Sequence, residues 1–245
     1  MNLLRAELLK LRTTRTFFAL LGGLLVIVAL STFVMILATD EAEIAADPEG
    51  LYASPLTGII FVLLLGVMLL TGEYRHGTMT QTFLITPARW KVLLAKLVAA
   101  ALLGVAVAAA AELFAMIVGA PLFAWKGVDF PLGEEAWKLI GGTVLAMALA
   151  GPLGVALGAL IRNQVVAIIT VFVWLLLVEP ILSSIPGIDE FADYFPGQAM
   201  AGVVADEEGL LSRNAAALVL LAYVAVLSLV AERLTLSRDV NSIQA

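Results

Sequence analysis

From residue 17 to residue 38 the chain reads FFALLGGLLVIVALSTFVMILA, an apolar run that contains no charged residue. A helix of ~20 residues rises about 30 Å, which is the thickness of the hydrocarbon core of a bilayer. Because the bilayer interior offers no water to free backbone groups, such a run is expected to cross it as a helix. The run therefore predicts a first transmembrane span.

The same kind of run recurs along the whole chain, whose 245 residues are 62% hydrophobic with a mean hydropathy of +1.03. Soluble domains are usually about 45–50% apolar. The predicted fold class is therefore an all-α polytopic membrane protein, with residues 1–245 forming a single transmembrane domain. The six predicted spans cover residues 17–38, 54–71, 97–118, 139–160, 165–182 and 215–231.

Basic residues are distributed unevenly between the connections. Of the fourteen basic residues, only Lys126, Lys138 and Arg213 fall in the proposed outer loops. The outer loops also hold fourteen of the twenty acidic residues, including the run at 206–208. An excess of Lys and Arg stays cytoplasmic, so both termini are predicted to be cytoplasmic. We expect a multi-pass protein of the plasma (inner) membrane.

Residues 1–16 precede the first span and carry Leu4, Leu8 and Leu11 at helical spacing between basic residues. This pattern predicts a short amphipathic helix that lies on the membrane surface. A cleaved signal peptide is the alternative, although the apolar region of such a peptide is shorter, at about 7–15 residues.

The longest inner connection, residues 72–96, reads GEYRHGTMTQTFLITPARWKVLLAK. Gly77 permits a bend, Met79 and Phe83 belong to a short amphipathic turn, and Pro87 ends that turn because its ring disfavours helical geometry at Thr86. A small helix with apolar knobs and a polar rim can dock in a groove of another protein. The alternative is an interfacial helix that rests on lipid headgroups.

The amphipathic start MNLLRAELLKLRTTRTFF and the segments EYRHGT (73–78) and TPAR (86–89) resemble the membrane (permease) subunits of type-2 ABC transporters, which are mostly exporters. The resemblance in layout covers nearly the whole chain. It implies an N-terminal elbow helix over residues 1–16, a cytoplasmic coupling helix within residues 73–90, and an outer amphipathic hairpin over residues 183–213.

The resemblance also implies a division of labour between subunits. This chain would form the translocation path, with spans one, two and five lining it, and would pair with a second permease copy or a paralogue in the lipid bilayer. A separate ABC ATPase subunit would bind ATP and Mg, and no nucleic-acid partner is expected. The residues implied in ATPase coupling are Glu73, Arg75, His76, Gly77, Thr78, Met79 and Phe83.

The absence of several motifs agrees with this division. The chain contains no G-x-x-x-x-G-K-[ST] phosphate loop, so ATP hydrolysis is expected on another subunit. It has no cysteine and one histidine, His76, which excludes structural disulfides, cysteine nucleophiles and a histidine metal cluster. Paired intramembrane aspartates and a His–Glu zinc motif are also missing, so no catalytic residue, cofactor or metal is expected on this chain.

Two acidic residues fall within or near apolar runs. Glu112 lies ~22 Å into the third span at about 1.5 Å per residue. It is predicted either to line or gate the path, or to be a protonated glutamate that is hydrogen-bonded to a neighbouring helix or reaches the outer interface. Glu179 precedes Pro180 near the outer end of the fifth span, and the alternatives are a gate role or interface capping at a helix break.

The fourth predicted span carries small residues on one face, at Ala146, Ala150, Gly154 and Gly158. Such small-xxx-small patterns allow helix backbones to approach closely. We favour packing within one chain over a dimer interface. Pro152 predicts a kink in this span unless neighbouring groups satisfy the carbonyl that it frees.

Two other functional classes stay open as alternatives. One is a secondary transporter driven by an ion gradient, which would normally carry polar groups at mid-membrane on several helices, whereas only Glu112 comes close. The other is a non-transporting membrane scaffold. Arg75 and Arg89 are predicted to pair either with acidic residues of an ATPase or with lipid phosphates.

Overall fold

The structure is a computed structural model that describes residues 2–205 and 209–233. Within these residues the chain is helical, with short irregular connections and no β-strand. The predicted acidic run at 206–208 and the terminus beyond residue 233, which includes Arg238, lie outside the described residues.

Eleven α-helices are found in the described part of the chain, together with two 3₁₀ helices and one π-helix. In chain order the elements are α1 (Asn2–Thr13), α2 (Arg15–Ala38), α3 (Glu41–Ala46), a 3₁₀ helix (Pro48–Gly58), α4 (Ile59–Arg75), α5 (Met79–Ile85), α6 (Arg89–Lys126), α7 (Glu134–Ile161), α8 (Gln164–Val173), a π-helix (Trp174–Val178), α9 (Glu179–Ser183), a 3₁₀ helix (Asp189–Tyr194), α10 (Pro196–Val204) and α11 (Arg213–Ala231).

Among the residues that the structure describes, six helical segments are long and apolar enough to cross a bilayer, which confirms the prediction of six spans. The largest difference concerns the third span. It was predicted to begin at residue 97, but α6 already begins at Arg89 and continues to Lys126. The first turn of α6 contains Arg89, Trp90 and Lys91. These residues do not interrupt the helix, because the exposed side chains, those of Trp90 and Lys91, extend away from it.

The central helix of the bundle is α7, which packs against α4, α6, α10 and α11. Close approach requires glycine here: a Cβ added to Gly154 would lie 2.1 Å from the Leu63 carbonyl oxygen, and one added to Gly104 would lie 2.2 Å from the Met147 carbonyl oxygen. Pro152 is buried inside α7, which continues as one helix to Ile161. The four small residues proposed for helix packing, Ala146, Ala150, Gly154 and Gly158, are all buried in α7.

The segment between the fifth and sixth spans returns toward the bundle. Its helix α10 buries Ala199, Met200 and Val203 and packs against α7 and α11. The helix α10 packs into the core because one of its faces is made of small and apolar residues. The outer location of the amphipathic hairpin over residues 183–213 stays a prediction.

Candidate functional site

Lys96 lies within α6, and its side chain is fully buried, with 0% exposed. Its ammonium Nζ donates to Glu7 Oε2 at 2.7 Å, to Glu73 Oε1 at 2.7 Å and to the Leu69 carbonyl oxygen at 3.1 Å. A lysine ammonium has three donors, so all three are satisfied. This pairing explains how a lysine, whose buried charge would otherwise be very unfavourable, is accommodated in an apolar helix.

A second lysine completes the arrangement from α1. Lys10 Nζ donates to Glu7 Oε1 at 2.8 Å and to Glu73 Oε1 at 2.6 Å. Burial by itself lowers the pKa of Lys10, but the hydrogen bonds and negative charges of Glu7 and Glu73 raise it above its usual value overall. Lys10 therefore stays charged at neutral pH. We call Glu7, Lys10, Glu73 and Lys96 the junction cluster.

The junction cluster reaches the short helix α5 through Glu73. Glu73 Oε2 accepts a hydrogen bond from the Thr82 hydroxyl of α5 at 3.2 Å. The carbonyl oxygen of Glu73 also accepts from the Thr78 backbone N–H at 3.0 Å. One side chain at the end of α4 therefore contacts α1, α5 and α6, so these helices meet at Glu73.

The helix α5 is anchored on one side and exposed on the other. The turn that precedes it passes through Gly77, whose φ of +68° is rarely adopted by residues with a side chain. Met79 is 1% exposed and holds the start of α5 against the bundle. At the other end, Leu84 is 76% exposed and Ile85 is 84% exposed. Two large apolar side chains are thus presented outward.

The predicted coupling residues divide into two groups in the structure. Arg75, His76, Gly77 and Thr78 form the exposed turn before α5. Glu73 and Met79 are buried instead, so they serve to hold α5 and are not exposed to a partner. Phe83 is half-buried and lies beneath the Arg89 guanidinium, 5.1 Å from the ring centroid. The predicted coupling segment 73–90 therefore contains the end of α4, all of α5 and the start of α6.

Several residues of this site were not in the predicted set. The sequence places Glu7 and Lys10 on the surface helix and Lys96 in the inner loop. It places Leu84 and Ile85 on the amphipathic turn that the resemblance implies in ATPase contact, but not among the named coupling residues. A signal was available for Lys96, because it is flanked on both sides by apolar residues. A lone charge in such a setting indicates a buried partner.

Glu112 and Glu179 lie away from the junction cluster. Glu112 is 4% exposed, and its two carboxyl oxygens have no hydrogen-bond partner among the described residues. The nearby Thr143 hydroxyl donates to the Tyr52 carbonyl oxygen at 3.1 Å. A buried carboxyl group of this kind in a membrane span is a candidate path or gate residue, and that role stays a prediction.

Glu179 has a full set of partners. Its carboxylate accepts from Trp174 Nε1 at 3.0 Å, from the Gly197 N–H at 3.1 Å and from the Gln198 N–H at 2.8 Å. The last two groups are at the N-terminus of α10, which favours a negative charge. This geometry favours the capping interpretation, because the carboxylate ties the fifth span to the returning helix α10.

A bundle of six apolar spans with a small anchored helix between the second and third defines a polytopic α-helical membrane protein. The family model described as ABC-2 family transporter protein matches residues 3–178, and the chain belongs to this family. It is a membrane component of an ABC transporter, not itself catalytic. The match includes α5 and the whole junction cluster. No curated protein matches the chain.

Proposed function

We propose that this chain is the permease subunit of an ABC exporter and that α5 couples it to a separate ATPase subunit. The observation that carries the proposal is the exposed pair Leu84 and Ile85 on a helix whose opposite side is held by the bundle. Amphipathic helices commonly bind by inserting such apolar groups into a groove of a partner.

The surroundings of the pair fit a protein groove. Thr80 and Gln81 are exposed on the same short helix, so polar groups border the apolar pair. Binding hot spots typically consist of a few apolar anchors that are surrounded by such polar groups. The chain belongs to a family of ABC transporter membrane proteins, which supports an ABC ATPase as the partner.

The junction cluster supports the coupling role. Movement of α5 acts on Glu73 through Thr82, and Glu73 is paired with Lys10 and Lys96. These contacts join α5 to three other helices by charge-assisted hydrogen bonds, which are about twice as strong as neutral ones. A displacement of α5 by an ATPase is therefore expected to move the ends of several spans together.

The remaining parts of the proposal follow from the charge distribution and the family. The basic residues near α1, α5 and α6 favour a cytoplasmic location for that end of the bundle and for both termini. We place the protein in the plasma membrane, paired with a second permease that is a copy or a paralogue. ATP and Mg would be bound by the ATPase.

The test is co-purification of the chain, in detergent, with an ABC ATPase that is encoded next to it. The double variant Leu84→Asp with Ile85→Asp is expected to weaken the association at least about thirtyfold, because two anchors are replaced by charges. Leu132→Asp is the matched control, since Leu132 is also exposed (62%) but lies near the opposite end of α6. Equal binding by all three proteins, or equal loss in the control, would refute the proposal.

A further inference from the structure

A cavity of about 1250 Å³ opens between α1, α4 and α5. One end of it is polar and includes Arg75 and Lys91, and the other end is apolar and includes Leu65 and Met68. Of the pair proposed to bind the ATPase, Ile85 lines the cavity and Leu84 does not, so the cavity and that surface meet at Ile85. The volume of the cavity is larger than that of usual small-molecule sites, which is about 300–1,000 Å³.

The shape of the cavity matches the depth of one leaflet. Arg75 and Leu65 are ten residues apart on α4, which corresponds to about 15 Å along the helix axis. Half of a hydrocarbon core of about 30 Å is also about 15 Å. The polar end therefore lies at the level of lipid headgroups when the apolar end reaches toward the bilayer midplane.

The charges at the polar end favour an anion. Glu7 and Glu73 line the cavity, but both are paired with Lys10 and Lys96. Arg75 and Lys91 also line it, and neither forms an ion pair within residues 2–205 and 209–233. Lys91 lies over the Trp90 ring, 5.5 Å from its centroid. Two cationic side chains are thus left to interact with a bound group.

We propose that this cavity binds an anionic phospholipid from the leaflet at the α5 end. Its phosphate interacts with Arg75 and Lys91, and an acyl chain lies along Leu65 and Met68. A free phosphate would use only the polar end and leave the apolar wall empty. The proposal does not depend on ATPase binding, because the cavity belongs to this chain alone.

The experiment is native mass spectrometry of the full chain in detergent with phosphatidylglycerol or phosphatidylcholine of identical acyl chains. We expect phosphatidylglycerol to be retained about thirtyfold more than phosphatidylcholine, as two cationic groups near one anionic headgroup predict. Arg75→Gln with Lys91→Gln is expected to abolish this preference. Arg5→Gln with Arg15→Gln is the control, because both arginines are exposed at the same end but do not line the cavity.

A further variant tests the apolar wall of the cavity. Met68→Trp narrows the apolar wall without changing charge and is expected to reduce retention of phosphatidylglycerol even if the double variant folds poorly. The proposal would be overturned if the two lipids were retained equally or if the double variant kept the preference for phosphatidylglycerol. It would also be overturned if inorganic phosphate competed fully with the lipid, or if the chain were found as a dimer of two copies with no lipid bound. ATPase association, measured on the same samples, reports separately on the function proposed above.

Discussion

Lys96→Met tests the junction cluster directly, because it removes the ammonium but keeps an unbranched side chain of similar length. The change leaves Glu7 and Glu73 with Lys10 as their remaining cationic partner in the cluster. Removing one partner of a buried ion pair costs about 3–5 kcal/mol. Since Lys10 contacts both carboxylates, we expect the lower end of this range, about 3 kcal/mol.

The expected loss of unfolding free energy corresponds to a decrease in the melting temperature. For a chain of about 150–250 residues, each kcal/mol shifts the midpoint by about 2–4 °C, so Lys96→Met is expected to melt about 6–12 °C below the parent protein. The matched control is Lys10→Met, because the Lys10 side chain is 46% exposed. Because the Lys10 ammonium is half in contact with water and Lys96 still pairs with both carboxylates, this variant is expected to lose about 1 kcal/mol, or about 2–4 °C.

The assay is thermal unfolding in one detergent at one scan rate, followed by tryptophan fluorescence. A triple variant, Glu7→Gln, Glu73→Gln and Lys96→Met, removes every buried charge of the cluster and is expected to recover most of the loss, because exchanging a whole buried ion group for neutral residues is often close to neutral. Equal losses for Lys96→Met and Lys10→Met, or a Lys96→Met midpoint within about 2 °C of the parent protein, would refute the reasoning.

Two further predictions concern packing and orientation. Gly154→Ala is expected to destabilise the bundle by at least about 3 kcal/mol in the same melting assay, because its Cβ would meet the Leu63 carbonyl at 2.1 Å. Gly141→Ala on the same helix has open space and should be neutral or gain up to about 1 kcal/mol, so equal losses would contradict this account. The chain has no cysteine, so Ile85→Cys and Leu132→Cys each introduce a single thiol for labelling with a membrane-impermeant maleimide. On intact cells only the thiol at 132 should react, and the opposite pattern would reverse the orientation.

The six spans could be predicted from sequence because each depends on a local property, a run of apolar residues of membrane length. The bounds of α6 could not be predicted in this way, because the sequence pattern places the charged residue Lys96 at the end of the inner loop. Lys96 is charged and still lies inside the helix, because its partners Glu7 and Glu73 come from positions 89 and 23 residues away. Pairing over such separations is set by tertiary structure and leaves no periodic pattern in the sequence.

The candidate site was predicted in part for the same reason. The amphipathic turn at 79–85 has a local pattern, so α5 was found, but its orientation depends on what it packs against. Met79 turns inward and Leu84 and Ile85 turn outward, which a pattern of seven residues does not determine. The partners of Glu179 are likewise tertiary: two of them are backbone N–H groups at the start of α10.

The packing of α4 determines how far a movement of α5 is transmitted. Gly66 of α4 approaches α7 so closely that an added Cβ would lie 2.1 Å from the Gly151 carbonyl oxygen, and α7 approaches α6 in the same way at Gly104. Helix backbones in such contact do not slide past each other without losing their packing. Because α5 is tied to α4 and α6 through Glu73, we expect α4, α6 and α7 to move as one body. The surrounding spans α2, α8 and α11 are much less buried, so we expect the relative movement to occur between them and this body.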